Sequence, residues 1–223
     1  MNKTAKEKII YLIRHGQSRA NAGLRTENNK EDKLTELGRT QSELTASFAL
    51  YEKPDLIVLS SFQRAIETAS PLAMKFPQVF QKIMPVHEFD YLSSLKCLNT
   101  NHSDRLVLAE NYWHRNDPDY ADSGTAESFR IFFKRASLFI SSLRHINSRK
   151  IYVFTHGNFI RAVTLLILFP NLEINGDTIK FFRAYSSTVA IPNCSVSKVI
   201  IKNTGEIFIK SPSVSHLPIQ YRT

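Results

Sequence analysis

Two histidines in this chain of 223 residues are each followed by glycine at the end of a short apolar run. His15 closes Ile9-Ile10-Tyr11-Leu12-Ile13-Arg14-His15-Gly16, and His156 closes Ile151-Tyr152-Val153-Phe154-Thr155-His156-Gly157. Arg14 stands beside the first. Arg64 follows a third apolar run, Leu56-Ile57-Val58-Leu59, and Glu88 follows a fourth segment of strand character, Val79 to Val86. Imidazoles, guanidinium groups and a carboxylate gathered at strand ends suit phosphoryl chemistry. Transfer of a phosphoryl group spreads negative charge over its oxygens, so catalysis is mainly positioning and electrostatic stabilisation. A guanidinium is a planar fork matched to phosphate, with a charge that does not titrate away. Arg14 and Arg64 would supply two forks, and Asn21, Gln17 or backbone N–H groups near Gly16 would add neutral donors. His15 is expected to be the nucleophile: neighbouring arginines repel its proton and favour the neutral imidazole at pH 7. Attack would give a covalent phosphohistidine. His156 then suits hydrogen bonding to phosphoryl oxygens. Glu88 suits proton donation to the leaving alcohol and removal of a proton from the incoming water.

These groups can meet only if strands deliver their last residues to one rim, as in open α/β sheets. An apolar run bounded by glycine reads as a buried parallel strand. The expected strands are 8–14, 56–59, 79–86 and 151–155. A long polar loop over 16–33 follows the first. Helices are expected after Thr35 as N-cap, with Leu37, Gln41, Leu44 and Phe48 on one face, until Pro54-Asp55; over 62–76, where Pro71 should kink the helix or begin a new turn; over 126–146, with Phe129, Phe132, Phe133, Ala136, Phe139, Ile140 and Leu143 at helical spacing; and over 159–169, ended by Pro170. Residues 89–122 show no clean periodicity and read as an irregular, partly helical insertion on the substrate side, with a short helix near 105–111. Residues 186–210 read as two or three short strands with a hairpin turn at Asn203-Thr204-Gly205. The tail, 211–223, is polar. The expected architecture is a single domain over 1–223 of the α/β class: a three-layer sandwich with a mostly parallel central sheet and helices on both faces.

Composition sets outer limits. With 43% hydrophobic and 22% charged residues the chain reads as an ordinary soluble domain. A net charge of +9 favours anionic partners such as small phosphorylated metabolites. The basic residues are scattered without interleaved aromatics, which argues against nucleic acid. The longest apolar run, Leu165-Leu166-Ile167-Leu168-Phe169, is too short to cross a bilayer. The basic first eight residues lead into a strand without a small-residue cleavage site, so no signal peptide is expected. Cys97 and Cys194, in no metal spacing, suit a reducing, cytoplasmic setting. His87, His102, His114, His145 and His216 read as structural or surface groups. Arg39, Arg130 and Arg161 read as helix-surface or packing residues, and Thr68 and Ser61 as caps or packing groups. Glu127 reads as a first-turn charge on the helix dipole. Metal binding by His15, His156 and Glu88 is disfavoured by the adjacent arginines.

The motifs, in order, resemble the histidine phosphatase superfamily, in its phosphoglycerate-mutase-like group. Leu12-Ile13-Arg14-His15-Gly16-Gln17-Ser18 with Asn21 looks like its signature. Leu34-Thr35-Glu36-Leu37-Gly38-Arg39-Thr40-Gln41 is similar to its first-helix motif, and Ser60-Ser61-Phe62-Gln63-Arg64-Ala65 to its second phosphate-binding segment. Ser123-Gly124-Thr125-Ala126-Glu127-Ser128 resembles the start of its late helix, and Thr155-His156-Gly157-Asn158 its second-histidine motif. The resemblance implies that His15 is phosphorylated, that Arg14, Arg64 and His156 bind the phosphate with Asn21 and Gln17 as helpers, and that Glu88 donates the proton. It also implies a site without cofactor or metal. The acid phosphatase branch carries an arginine where this chain has Ser18 and an acid where it has Gly157. Mutases keep a glycine-rich stretch where this chain has Phe89-Asp90-Tyr91-Leu92-Ser93-Ser94. Phosphomonoester hydrolysis is therefore favoured. A phosphoglycerate-mutase-type phosphotransferase and a silent phosphate- or phosphoprotein-binding module stay open as alternatives.

Overall fold

The computed structural model describes residues 7–48 and 51–223. Most of the basic N-terminal stretch read for a leader signal, residues 1–6, lies outside the described residues. A six-stranded sheet is built from β1 (Lys8–Arg14), β2 (Leu56–Leu59), β3 (Gln81–Ile83), β4 (Lys150–Thr155), β5 (Val196–Ile201) and β6 (Ile207–Ile209), in the order β3-β2-β4-β1-β5-β6. The first four in that order run parallel, and β5 and β6 add an antiparallel edge. Side chains alternate across the sheet. Tyr11, Ile13, Ile57, Leu59, Tyr152 and Phe154 pack against α1 (Glu36–Phe48) and α2 (Gln63–Lys75). Ile10, Leu12, Leu56, Val58, Ile151 and Val153 face the other layer. That layer holds α5 (Phe129–His145), α6 (Gly157–Leu168) and α7 (Gly176–Thr188), reached from β3 through α3 (Ser94–Cys97) and α4 (Leu106–His114). The fold is thus the expected α/β sandwich. In the β1–β4 ladder Arg14 pairs with Thr155, so His15 and His156 leave the sheet side by side.

Several local features differ from the sequence reading. β3 is a short, exposed strand at the edge of the sheet, and Pro85, which lacks an N–H, stops the ladder from extending toward Glu88. Glu88 therefore stands on an extended segment beyond the sheet rather than at a strand end. α2 runs through Pro71 without breaking. α5 starts at Phe129 because the Ser128 hydroxyl accepts from Ile131 N and caps it. Glu127 thus lies outside the helix, and its carboxylate pairs with the buried Arg135 at 2.9 and 2.7 Å. α6 starts at Gly157, two residues earlier than expected. α7 was not anticipated: Asn175 caps it, and it takes up residues 186–188 of the expected strand region.

The α1 face also differs. Thr35 caps the helix through Gly38 N, as expected. The buried residues, however, are Gly38, Gln41, Ser42, Thr45 and Ala46, while Leu37 and Leu44 are only half-buried. The reason is close backbone approach. A Cβ on Gly16 would meet Gly38 O at 2.6 Å, and a Cβ on Gly38 would fall inside the envelope of Gln17 O. Gly38→Ala, usually favourable in a helix, is expected here to cost about 1–3 kcal/mol, the range for overpacking. Urea denaturation checks this; a gain in stability would contradict it.

Candidate active site

His15 is 3% exposed and sits at the turn leaving β1. Its Nδ1 lies 2.8 Å from Gly16 O, and its Nε2 accepts from Arg64 Nε at 3.1 Å. A carbonyl only accepts, so this network assigns the ring proton to Nδ1 and the lone pair to Nε2. Burial, then Arg64 and Arg14, push its pKa well below the ordinary value. The direction is the one read from sequence, but burial outranks the arginines as its cause. The turn is pinned from three sides. Gly16 N donates to Thr68 Oγ1 on α2 at 3.0 Å, Gln17 N to Gln41 Oε1 on α1 at 2.8 Å, and Asn193 Nδ2 to His15 O at 3.0 Å.

Basic groups surround that turn. Arg14 Nη1 donates to Ile191 O at 2.6 Å and Nη2 to Asn21 Oδ1 at 3.3 Å. Its buried Nε has no partner among the described residues. Burial lowers its pKa to about 10, which leaves it charged at neutrality. Arg64, 4% exposed near the start of α2, donates from Nη1 to Asn29 O at 2.5 Å and lies 3.9 Å from the buried Asp32 carboxylate. His156, fully buried, stands with its ring centroid 5.1 Å from that of His15. Its Nε2 is 2.7 Å from Ser60 Oγ at the end of β2, while Nδ1 has no partner among the described residues. Burial, then Arg64, pushes its pKa well down too.

Glu88 reaches the same rim from the segment after β3. Its carboxylate accepts from Asn158 N in the first turn of α6, at 3.1 Å, and from Phe89 N at 2.9 Å. Arg135 holds that segment by donating to Pro85 O and His87 O, each at 2.9 Å. A cleft of about 620 Å³ brings together Arg14, His15, Asn21, Arg64 and Glu88, with His156 packed beneath. Its far wall is drawn from the insertion and carries Tyr91, Cys97, His102 and Arg105. His102, read from sequence as a structural or surface group, is thus part of the cleft.

Six of the seven sequence-predicted groups converge, and Gln17 does not. Its Oε1 accepts from Thr35 Oγ1 at 2.8 Å, which ties the side chain to the start of α1 and away from the cleft wall. Sequence reasoning missed Asp32, Asn29, Asn193 and Arg135, because none sits in a local pattern that marks it; Ser60 lies in the segment quoted before Arg64, where the sequence assigns it no role of its own. Arg161 is a packing residue, donating to Asn158 Oδ1 and Val189 O.

Known proteins share this arrangement's frame. A model of the histidine phosphatase superfamily (branch 1) matches residues 10–210. The chain is 40% identical over 63 residues to glucosyl-3-phosphoglycerate phosphatase of Mycobacterium tuberculosis, a match that spans 28% of the length of each. It is 25% identical over 213 residues to a metal-independent phosphoserine phosphatase of Arabidopsis thaliana, covering 93% of this chain and 82% of that one. The alpha-ribazole phosphatase structure from Shigella flexneri superposes with a TM-score of 0.71 at 21% identity, over 92% of this chain and 95% of the other.

Proposed function

The chain belongs to the histidine phosphatase superfamily, and we propose that it hydrolyses small phosphomonoesters through a covalent phosphohistidine on His15. The observation that carries this reading is the state of His15. Its proton is committed to Gly16 O and its Nε2 lone pair lies beside Arg64. In this reading Nε2 attacks phosphorus as the bond to the alcohol oxygen breaks. Arg14, Arg64 and Asn21 receive the phosphoryl oxygens, with the Arg64 Nε–H turning from Nε2 to one of them. The Ser60 hydroxyl donates to His156 Nε2, which leaves His156 Nδ1–H to donate to a phosphoryl oxygen. Glu88 gives a proton to the leaving alcohol. Its carboxylate then takes one from the water that breaks the phosphorus–nitrogen bond, which frees phosphate and restores His15.

The lining of the cleft supports a substrate class. Its basic inner wall takes the phosphate, and His102 and Arg105 on the far wall suit an alcohol that carries further anionic or polar groups. Phosphorylated metabolites such as phosphoserine and glucosyl-3-phosphoglycerate, named for the relatives, are of this kind. Both cysteines are buried and unpaired, which fits a reducing compartment, and we place the enzyme in the cytoplasm. Among the described residues no helix is long and apolar enough to cross a membrane.

Glu88→Gln tests the reading. On alkyl phosphates kcat should fall by roughly 10²–10⁴-fold, the usual worth of a positioned acid–base group. On aryl phosphates with acidic phenols, which leave unprotonated, the loss of the first step should be far smaller. Burst-phase phosphorylation rates and kcat/KM, which report the first step, check this on both ester classes, and equal losses of these on the two would contradict it.

A further inference from the structure

Behind the nucleophile turn, on the side away from the cleft, lie two buried side-chain amides. Gln41 on α1 is fully buried and Asn193, just before β5, is 3% exposed. Each spans from the Arg14–Gln17 turn to the Leu217–Thr223 segment. Gln41 Oε1 accepts from Gln17 N at 2.8 Å, while its Nε2 donates to Tyr221 O at 2.7 Å and to Thr223 Oγ1 at 3.0 Å. Asn193 Nδ2 donates to His15 O at 3.0 Å and to Asn21 Oδ1 at 2.9 Å. Its Oδ1 accepts from Thr223 Oγ1 at 3.3 Å, and its backbone N–H donates to Thr223 O at 2.8 Å. The segment is anchored by the buried Leu217, whose carbonyl accepts from Arg222 Nε at 2.9 Å.

Thr223 Oγ1 joins the two amides. An amide has a donor end and an acceptor end, and the wrong end against a backbone group leaves a buried clash of like partners. A hydroxyl both accepts and donates. It takes the Gln41 amide nitrogen beside Tyr221 O, a carbonyl that only accepts and so turns Gln41 Oε1 toward Gln17 N–H. It gives its hydrogen to Asn193 Oδ1, while the carbonyl of His15, which only accepts, and Asn21 Oδ1 take Asn193 Nδ2. We propose that Thr223 is a positioning residue for catalysis: by tying Gln41 to Asn193, it holds in place the turn that carries His15 and Asn21 beside Arg14. The proposal rests on the hydrolytic role of His15.

Thr223→Val keeps the shape and removes the hydroxyl; Thr223→Ser keeps the hydroxyl. The valine variant should lose about tenfold in kcat, the equivalent of one hydrogen bond, with KM close to wild type. The serine variant should recover the rate. The ring-nitrogen NMR resonances of His15, followed during titration with inorganic phosphate, should shift in the valine variant and return in the serine variant. Wild-type kcat with unmoved resonances in the valine variant would overturn the proposal, as would equal impairment of both variants. If the wild type releases no phosphate from any ester, the hydrolytic reading fails by itself. The clamp is then judged on the His15 resonances alone: a shift reversed by serine upholds it, and no shift overturns it.

Discussion

His15→Ala is expected to lower kcat by on the order of 10⁶-fold, the scale seen when a covalent enzyme loses its nucleophile. No neighbour can replace it. His156 is held at Nε2 by Ser60, and Glu88 accepts backbone N–H groups from α6. Phosphate binding should survive, because Arg14, Asn21 and Arg64 are anchored to Ile191 O, Asn193 and Asn29 O independently of the imidazole. The expected outcome is a folded protein that binds orthovanadate but releases no phosphate from an aryl ester. Calorimetric titration beside a phosphate-release assay checks both halves. Turnover within tenfold of wild type would mean that the reaction does not pass through this ring.

The second large effect is expected from Arg64→Lys, which keeps the charge and loses the fork. Arg64 points three ways at once: Nε to His15 Nε2, Nη1 to Asn29 O, and the same nitrogen toward Asp32 at 3.9 Å. A lysine ammonium, compact and on a flexible stem, cannot hold the backbone anchor while also meeting the imidazole and the phosphoryl oxygens. Loss of one preorganised donor to a developing charge is worth roughly 10²–10³-fold in kcat. The change should also weaken vanadate binding, since the directed guanidinium N–H is gone. Kinetics on an aryl phosphate test this; a lysine variant with wild-type kcat and vanadate affinity would show that Arg64 does not touch the phosphoryl group.

What could be read from the chain follows from how local each signal is. The pairs His15-Gly16 and His156-Gly157 each end an apolar strand, so strand and rim position were legible together, and in-register pairing of Arg14 with Thr155 brings the rings into contact. The α1 face was misread because apolar count favours Leu37 and Leu44. The true constraint is the approach of Gly38 to Gly16 and Gln17, which selects small residues and leaves no periodic trace. Gln17 stands within the signature beside His15-Gly16, a place that groups it with the phosphate ligands. Position cannot tell where a side chain turns, and this one turns to Thr35. Asp32, Asn193 and Arg135 act across long stretches of chain, on Arg64, His15 and the Glu88 segment, so no spacing rule reaches them. The insertion was unreadable for a related reason. Its contribution is a wall assembled from single residues such as Tyr91, Cys97 and Arg105, rather than a repeating face.

The most direct test of phosphohistidine hydrolysis is rapid acid-free quenching of the enzyme during turnover of a ³²P-labelled phosphomonoester, with EDTA present, followed by mapping of the labelled peptide. The expected result is an alkali-stable, acid-labile phosphoryl group on His15, formed and consumed at rates that support turnover and absent from His15→Ala. Label on another residue, or continued turnover by His15→Ala, would contradict it.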